Sequence, residues 1–410
     1  MSRLLAIGTV AAACLSAAPP GADERVRTLF VAADSVGAAD GSADRPFRTI
    51  QEAVRAANDG DTIAVAEGRY DEGSVDVRHK ALTLLGGFRR QPGGRFATRD
   101  WLAAPSTVVG RHETGDGGQD PSAVFIVGDS AGARIDGFTI TGGRHGIFAQ
   151  YSASTAPLVI ANNVIEDNGT DAPLYYEYGG GIHSEYKSLV VENNLIRRNA
   201  SGRGAGIAAL GAGSARIEAN VIEGNVALGD HGGGIYVQQP SVVRGNIIRA
   251  NSVTAEIVNW MGGVGGGITI VAADARLSEN VIVDNYAKKC GAGVFVDEGA
   301  TATLERDLVV RNRAVHPDGW GGSGIYVDGG SEKTTTVRID RSVVIDNARD
   351  GPGVGNGVFV ASRSVVTIEH SIIGNNGTRT DLEIVDDSGT SALAASRSIV
   401  GAGRTPRGRH

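Results

Sequence analysis

The stretch GGGIYV at residues 232–237 decides the fold, because the chain repeats it with small changes. GGGIHS (179–184), GAGIAA (204–209), GGGITI (265–270), GAGVFV (291–296), GSGIYV (322–327) and GNGVFV (355–360) have the same plan: small residues, a β-branched residue, an outward position, then an apolar or small one. Working outward, each of these follows a second string. NVIEDN (163–168), NLIRRN (194–199), NVIEGN (220–225), NIIRAN (246–251) and NVIVDN (280–285) continue as DLVVRN (307–312), SVVIDN (342–347) and SIIGNN (371–376). The final asparagines, Asn168, Asn199, Asn225, Asn251, Asn285, Asn312, Asn347 and Asn376, are 31, 26, 26, 34, 27, 35 and 29 residues apart. A period near 30 is the mark of stacked supersecondary units.

The units are short, β-branched and alternating, and glycine breaks every run before a helix could form, so the repeat is built of strands. About three short strands and three turns fit one period, which predicts an all-β chain coiled as a right-handed parallel β-helix, a solenoid with rungs about 4.8 Å apart. In I-Y-V, alternation turns Ile235 and Val237 into the cylinder and Tyr236 out of it, and the preceding glycines allow a turn closed to residues with a Cβ. The terminal asparagines are expected to form an internal ladder, bonding to the turn backbone and to neighbouring rungs.

The bulk properties agree with a folded, non-helical protein. Of 410 residues 41% are apolar and 21% charged, too apolar for disorder. The 60 glycines have neither a collagen period nor a low-complexity block, so they mark recurring turns. A net charge of −7 supplies no basic stripe for a phosphate backbone, so nucleic acid is not an expected partner.

Residues 1–22 place Arg3 before an apolar run of small residues and a Pro-Pro break, the construction of a signal peptide, and the protein is expected to be exported to the cell envelope or the extracellular space. Two endings stay open: cleavage near Ala18 or Ala22, or lipidation of Cys14 in AAAC, which would anchor the protein by lipid. No later run has the ~20 apolar residues of a membrane span. Cys290 is the one cysteine after the leader, so disulfides are not expected to hold the fold. Residues 23–110 read as an N-terminal cap with the first strands, 111–400 as the repeats, and 401–410 as a basic tail. Within the cap, DRPFRTIQEAVRAANDGD predicts a helix with Asp44 as its N-cap, Pro46 in its first turn and Ile50, Ala53, Val54 and Ala57 on the face that plugs the cylinder.

Rung length varies mainly between the final asparagine and the next glycine string, and a solenoid that varies loops at one corner is building its working face there. Those loops hold Tyr175, Tyr176, Tyr178, Trp260, Tyr286 and Trp320, rings of the kind that stack on sugars. Beside them, the outward strand positions carry His183, Tyr236, Phe295, Tyr326 and Phe359; the last three, on successive rungs, form either a glycan platform or a patch covered by loops or a partner. The glycan-binding candidates are therefore Tyr176, Tyr178, His183, Tyr236, Trp260, Phe295, Trp320 and Tyr326. Asp297 and Asp328 are expected on neighbouring rungs roughly 5 Å apart, near the carboxylate separation of a retaining glycosidase. For a lyase, which needs a cation and a base, the available groups are Lys187, Lys288, Lys289, His183, His231 and His316. No metal site is expected, and calcium is the one cofactor left open.

The run DGSADRPFRTIQEAVRAANDGDTIAVAEGRY (40–70) resembles the opening of bacterial exported β-helix proteins of the pectin-lyase-like superfamily, and LLGGF with RDWLAAPSTVVG resembles their next segment. The alternating GGGI and IxxN strings are similar to the repeats of chlamydial polymorphic outer membrane proteins. The resemblance, over about residues 28–400, implies the β-helix; the superfamily includes lyases, hydrolases, epimerases and adhesins, so it implies no single activity. The polygalacturonase-like NTD, GHG and RIK, a pectate-lyase-like WIDH and an epimerase-like DPHD are all missing. The expected function is binding of a polysaccharide or surface glycan along the loop-rich side, with a polysaccharide lyase or glycoside hydrolase as the first alternative and a structural or adhesive surface protein as the second.

Overall fold

In a computed structural model of the chain, the described residues are 26–91, 94–111, 122–170, 177–186, 188–255, 262–315, 321–330, 332–349, 357–377, 380–385 and 389–401. Their strands form a right-handed parallel β-helix. The chain visits three long sheets in turn: sheet A of 14 strands, from Thr28–Val31 to Ala392–Ser396; sheet B of 12, from Gly68–Gly73 to Ile399–Val400; and sheet C of 11, from Val75–Asp76 to Leu382–Ile384. Pairing is parallel and in register from rung to rung, as in Ile207↔Ile235 and Ile235↔Ile268. The antiparallel pair Thr83–Arg90 with Phe96–Arg99 is the exception.

The expected three strands per rung are joined by a fourth over part of the length. Sheet D, six strands from Ala200–Arg203 to Ala348–Arg349, follows the asparagine corner. Its inward residues are small: Ala227 packs with Ala205 and Val253, and Ala287 with Ala292 and Ala314. A corner that tight closes only over side chains of this size.

The helix spans Ile50–Ala56 and starts later than the sequence suggests. Thr49, not Asp44, is the N-cap, in a capping box with Glu52. Phe47 is the reason: its N–H donates to Phe30 O at 2.8 Å and its carbonyl accepts from Ala32 N at 2.9 Å, so the chain stays extended along sheet A past Pro46. The buried face is the expected one, with Ile50, Ala53, Val54 and Ala57 closing the cylinder end. From there one hydrophobic cluster runs from Leu29 to Ile384.

The glycine strings now have a geometric cause. Gly232 sits at φ +66°, left-handed backbone that glycine adopts without strain. At Gly234, a Cβ would lie 2.6 Å from Gly267 O and 3.1 Å from Asn251 Nδ2, so two rungs approach too closely for any side chain.

The asparagine ladder is present. Each N–H and Nδ2 donates to the Oδ1 of the asparagine one rung on, as from Asn225 to Asn251 (3.1 and 2.9 Å) and Asn251 to Asn285 (3.0 and 3.1 Å), and the ladder ends on Asp381. A second ladder stands at the other end of each sheet B strand. It runs through Asn163, Asn194, Asn220, Asn246 and Asn280 to Asp307 and on through Ser342 and Ser371. The residue before each ladder position is left-handed, for example Ala219 (φ 54°), Ala250 (φ 52°) and Asp284 (φ 56°).

Candidate functional site

Alternation along sheet C places Phe295 and Asp297 outward on the strand Val294–Asp297, and Tyr326 and Asp328 outward on the next rung. Asp328 N donates to Val296 O at 2.9 Å, which fixes the two carboxyl-bearing residues side by side. They line a pocket of about 550 Å³ with His231, Lys289, Glu298, Glu332 and Lys333. Parallel strand spacing sets the pair about 5 Å apart.

The two carboxyls differ in their surroundings. Burial, then repulsion from Asp328, pushes Asp297 up to about 7, against an Oδ1 hydrogen bond from Glu298 N (2.6 Å) and the attraction of Lys289. Burial raises Asp328 too, but it is opposed by the amides of both Gly330 and Gly329 and by Lys289. Asp297, with one amide, is thus the member that holds a proton near neutral pH, and Asp328, with two, is the better supported as a carboxylate.

His231 enters the pocket from two rungs back. Its Nδ1 lies 2.9 Å from Asp230 Oδ1, and Asp230 is completely buried. Burial alone would raise Asp230; hydrogen bonds and charge from His231 and Arg203 outweigh it and hold the carboxyl below its ordinary value. The Arg203 guanidinium grips Asp230 and donates to Tyr178 Oη at 2.9 Å. The imidazole itself is held edge-on between Tyr236 and Phe295, at 6.0 and 5.9 Å, where it lines the pocket.

Of the two readings of the aromatic stripe, burial fits the covered patch and not the open platform. Phe295, Tyr326 and Phe359 are all 5% exposed or less. They stack on one another, with centroids 5.5 and 5.1 Å apart and planes within 16° and 11°. Their faces are spent on each other at the rung spacing, so Phe295 and Tyr326 offer the pocket no open face on which a sugar could lie. Tyr236 is buried as well, against Tyr178 (5.5 Å) and His231 (6.0 Å). His183 packs edge-on to Phe148 at 4.9 Å, away from the pocket, and burial followed by repulsion from His145 lowers it to about 3, so it is neutral. Tyr178 is half-buried and acts through Arg203. Tyr175, Tyr176, Lys187, Trp260, His316, Trp320 and Cys14 lie outside the described residues.

The structure thus brings together Asp297, Asp328, Lys289 and His231, which the sequence had divided between two chemistries. Arg203 was missed, since it meets Asp230 only across a rung; its one signal is its place just before the GAGI string, opposite DHGGG.

The right-handed β-helix family model matches residues 122–272 and 265–399, well over half of the chain. The chain belongs to that family, the right-handed β-helix proteins. A second model, of a family of unknown function (DUF1565), matches residues 33–77 of this β-helix protein, across the capping helix. No curated protein matches. Among solved structures, the pectate lyase Pel9A is 12% identical over 93% of this chain and 78% of its own, with a TM-score of 0.38. XylC in complex with xylose is 12% identical over 87% and 70%, at 0.41, and the pectin methylesterase from carrot is 13% identical over 92% and 88%, at 0.29. Likeness at this level carries no information about the chemistry of this β-helix.

Proposed function

We propose that this β-helix protein binds a neutral polysaccharide along the side that carries the pocket, and that the pocket hydrolyses it. The observation that carries the reading is the Asp297–Asp328 pair, two carboxyls on adjacent rungs in one pocket, one of them raised to about 7. In this reaction Asp297 gives its proton to the glycosidic oxygen as the bond to the anomeric carbon breaks, and Asp328 attacks that carbon to form a glycosyl ester. Water then displaces Asp328 and returns a proton to Asp297. A separation of about 5 Å suits this retaining course better than the wider gap of an inverting pair.

Charge selects the substrate class. Four carboxyl groups, Asp297, Glu298, Asp328 and Glu332, stand against two lysines, Lys289 and Lys333, in the pocket wall. A uronate would meet net repulsion, which favours a neutral sugar and disfavours a lyase. Lys289 and His231, which line the pocket, are the side chains this reading assigns to the sugar hydroxyls. Because Asp297 acts as the acid, turnover falls as pH rises through about 7, and because Asp328 must be ionised, it falls again in acid. Export under the leader 1–22, with or without a lipid on Cys14, belongs to the same reading, since it would bring the pocket to extracellular polymers; its support is the sequence pattern alone.

The test is incubation with neutral and uronate polymers, with and without calcium. New reducing ends from a neutral polymer, lost in Asp297→Asn and Asp328→Asn, are expected. Absorbance from an unsaturated sugar would mean a lyase, and neither cleavage nor binding of any polymer would sink the proposal.

A further inference from the structure

The part of sheet C that precedes the pocket holds two buried histidines that the proposed hydrolysis does not use. His145 begins the strand His145–Ala149 and is 6% exposed. Its Nδ1 lies 2.9 Å from Gly179 O, and because a carbonyl can only accept, Nδ1 carries the proton. His183 stands on the next rung, in Ile182–Ser184, with its ring 5.5 Å from that of His145, edge-on to Phe148 at 4.9 Å and 5.9 Å from Tyr178. Its Nε2 is buried and has no hydrogen-bond partner among the described residues. A phenylalanine would fill the same space without that cost, so packing alone does not account for an imidazole here.

The surroundings oppose a second proton on either ring. The Glu177 carboxylate would attract a charge on His145, but it is already matched by Arg144 at 2.6 Å in a largely buried ion pair. Glu185 Oε1 is 3.8 Å from His183 Nε2, beyond hydrogen-bond range, on a half-exposed side chain. On the following rung the neighbour of His183 is Ala208, which offers no acceptor side chain. Burial lowers His145, against the Gly179 bond and Glu177; burial and then repulsion from His145 lower His183 to about 3. The same two rings hold a segment in place. Gly179 O is bonded to His145 and Tyr178 packs on His183, while Gly179 N donates to Arg203 O and Arg203 N to Glu177 O. Tyr178 Oη also accepts from Arg203, whose guanidinium grips Asp230 beside the pocket.

We propose that His145 and His183 form an acid-sensitive latch: as neutral rings they clamp segment 177–179 against sheet C, and on protonation they release it, with Glu185 pairing with His183 in the open form. Linkage sets the sign and the size. A histidine whose proton affinity is depressed in the closed form keeps the segment closed above its ordinary 6.5, and that hold is lost as pH falls below it. Each ring should raise opening about 30-fold between pH 7.5 and pH 5, and the two together about 1,000-fold. Asp297 and Asp307 also titrate within this window, but on other rungs.

The experiment is hydrogen exchange of the full chain from pH 7.5 to pH 5, read by mass spectrometry on peptides covering 177–186, with the slower chemistry of exchange in acid divided out. Opening should rise about 1,000-fold in the wild type and about 30-fold in His183→Phe. If that variant misfolds, His145→Asn, which keeps a donor for Gly179 O, should show the same reduced rise. Wild-type opening that does not change with pH overturns the proposal. So does a rise that both variants keep in full, or one shared by peptides around Asn251, which would be acid unfolding of the whole solenoid.

Discussion

Asp307 is the one carboxylate in a ladder position otherwise held by asparagine on the five rungs before it, and replacing it by asparagine should stabilise the protein. Its Oδ1 accepts from Asn280 N (2.8 Å) and Nδ2 (2.9 Å), as an asparagine would. Its Oδ2 is buried and has no hydrogen-bond partner among the described residues. The equivalent atom of Asn280 is a nitrogen that donates to Val243 O at 2.8 Å. In Asp307→Asn the new amide would have the carbonyl of Leu277, the rung partner of Val243, as its acceptor. Burial raises the Asp307 carboxyl to about 6, from an ordinary 3.8, despite the bonds from Asn280. The folded state therefore binds more protons than the unfolded state between those two values, and stability falls as pH rises through them. Two pH units correspond to about 3 kcal/mol, absent below pH 3.8 and complete above 6. Urea unfolding of both proteins from pH 4 to pH 7.5 measures it. Asp297 titrates in both, so the difference isolates Asp307. The substitution should add about 3 kcal/mol at neutral pH and much less at pH 4. Equal midpoints at neutral pH, or a gain independent of pH, would refute the reasoning.

Asn251→Ala removes four hydrogen bonds and leaves the Asn225 N–H and the Ile222 carbonyl buried with lost partners, which should cost about 4 kcal/mol in the same urea assay. Ala219→Gly and Ala250→Gly should each stabilise by roughly 0.5–1 kcal/mol, because left-handed backbone costs alanine more than glycine loses in entropy, with thermal midpoints as the readout. Gly224 (φ 61°) and Gly245 (φ 61°) already occupy equivalent corners without crowding.

The solenoid was legible because each rung repeats the same physical demand. A glycine where two backbones touch, an asparagine where a corner needs donors and an acceptor, and a β-branched residue facing the core recur at a readable period. The first-position ladder was as visible as the second in NVIEDN, but its change to Asp307, Ser342 and Ser371 hides it when only invariant positions are sought. Alternation also set Asp297 beside Asp328, since neighbours in a parallel register follow from the strings alone. It could not show cover. Phe295, Tyr326 and Phe359 point out of the cylinder as expected, yet lie buried, because alternation assigns a face and says nothing of what packs on it. The Arg203–Asp230–His231 chain was illegible for another reason: rungs of 26 to 35 residues give no fixed offset at which a loop residue meets its partner.

The reading of the pocket depends most on a carboxyl that keeps its proton near neutrality. Titration of the aspartate carboxyl carbons by ¹³C NMR measures that directly. A group titrating near 7 is expected; it should vanish in Asp297→Asn and move down in Asp328→Asn, where the neighbouring charge is gone. If Asp297 instead titrates in the ordinary aspartate range, near 3.8, it is no general acid at neutral pH, and the proposed hydrolysis fails.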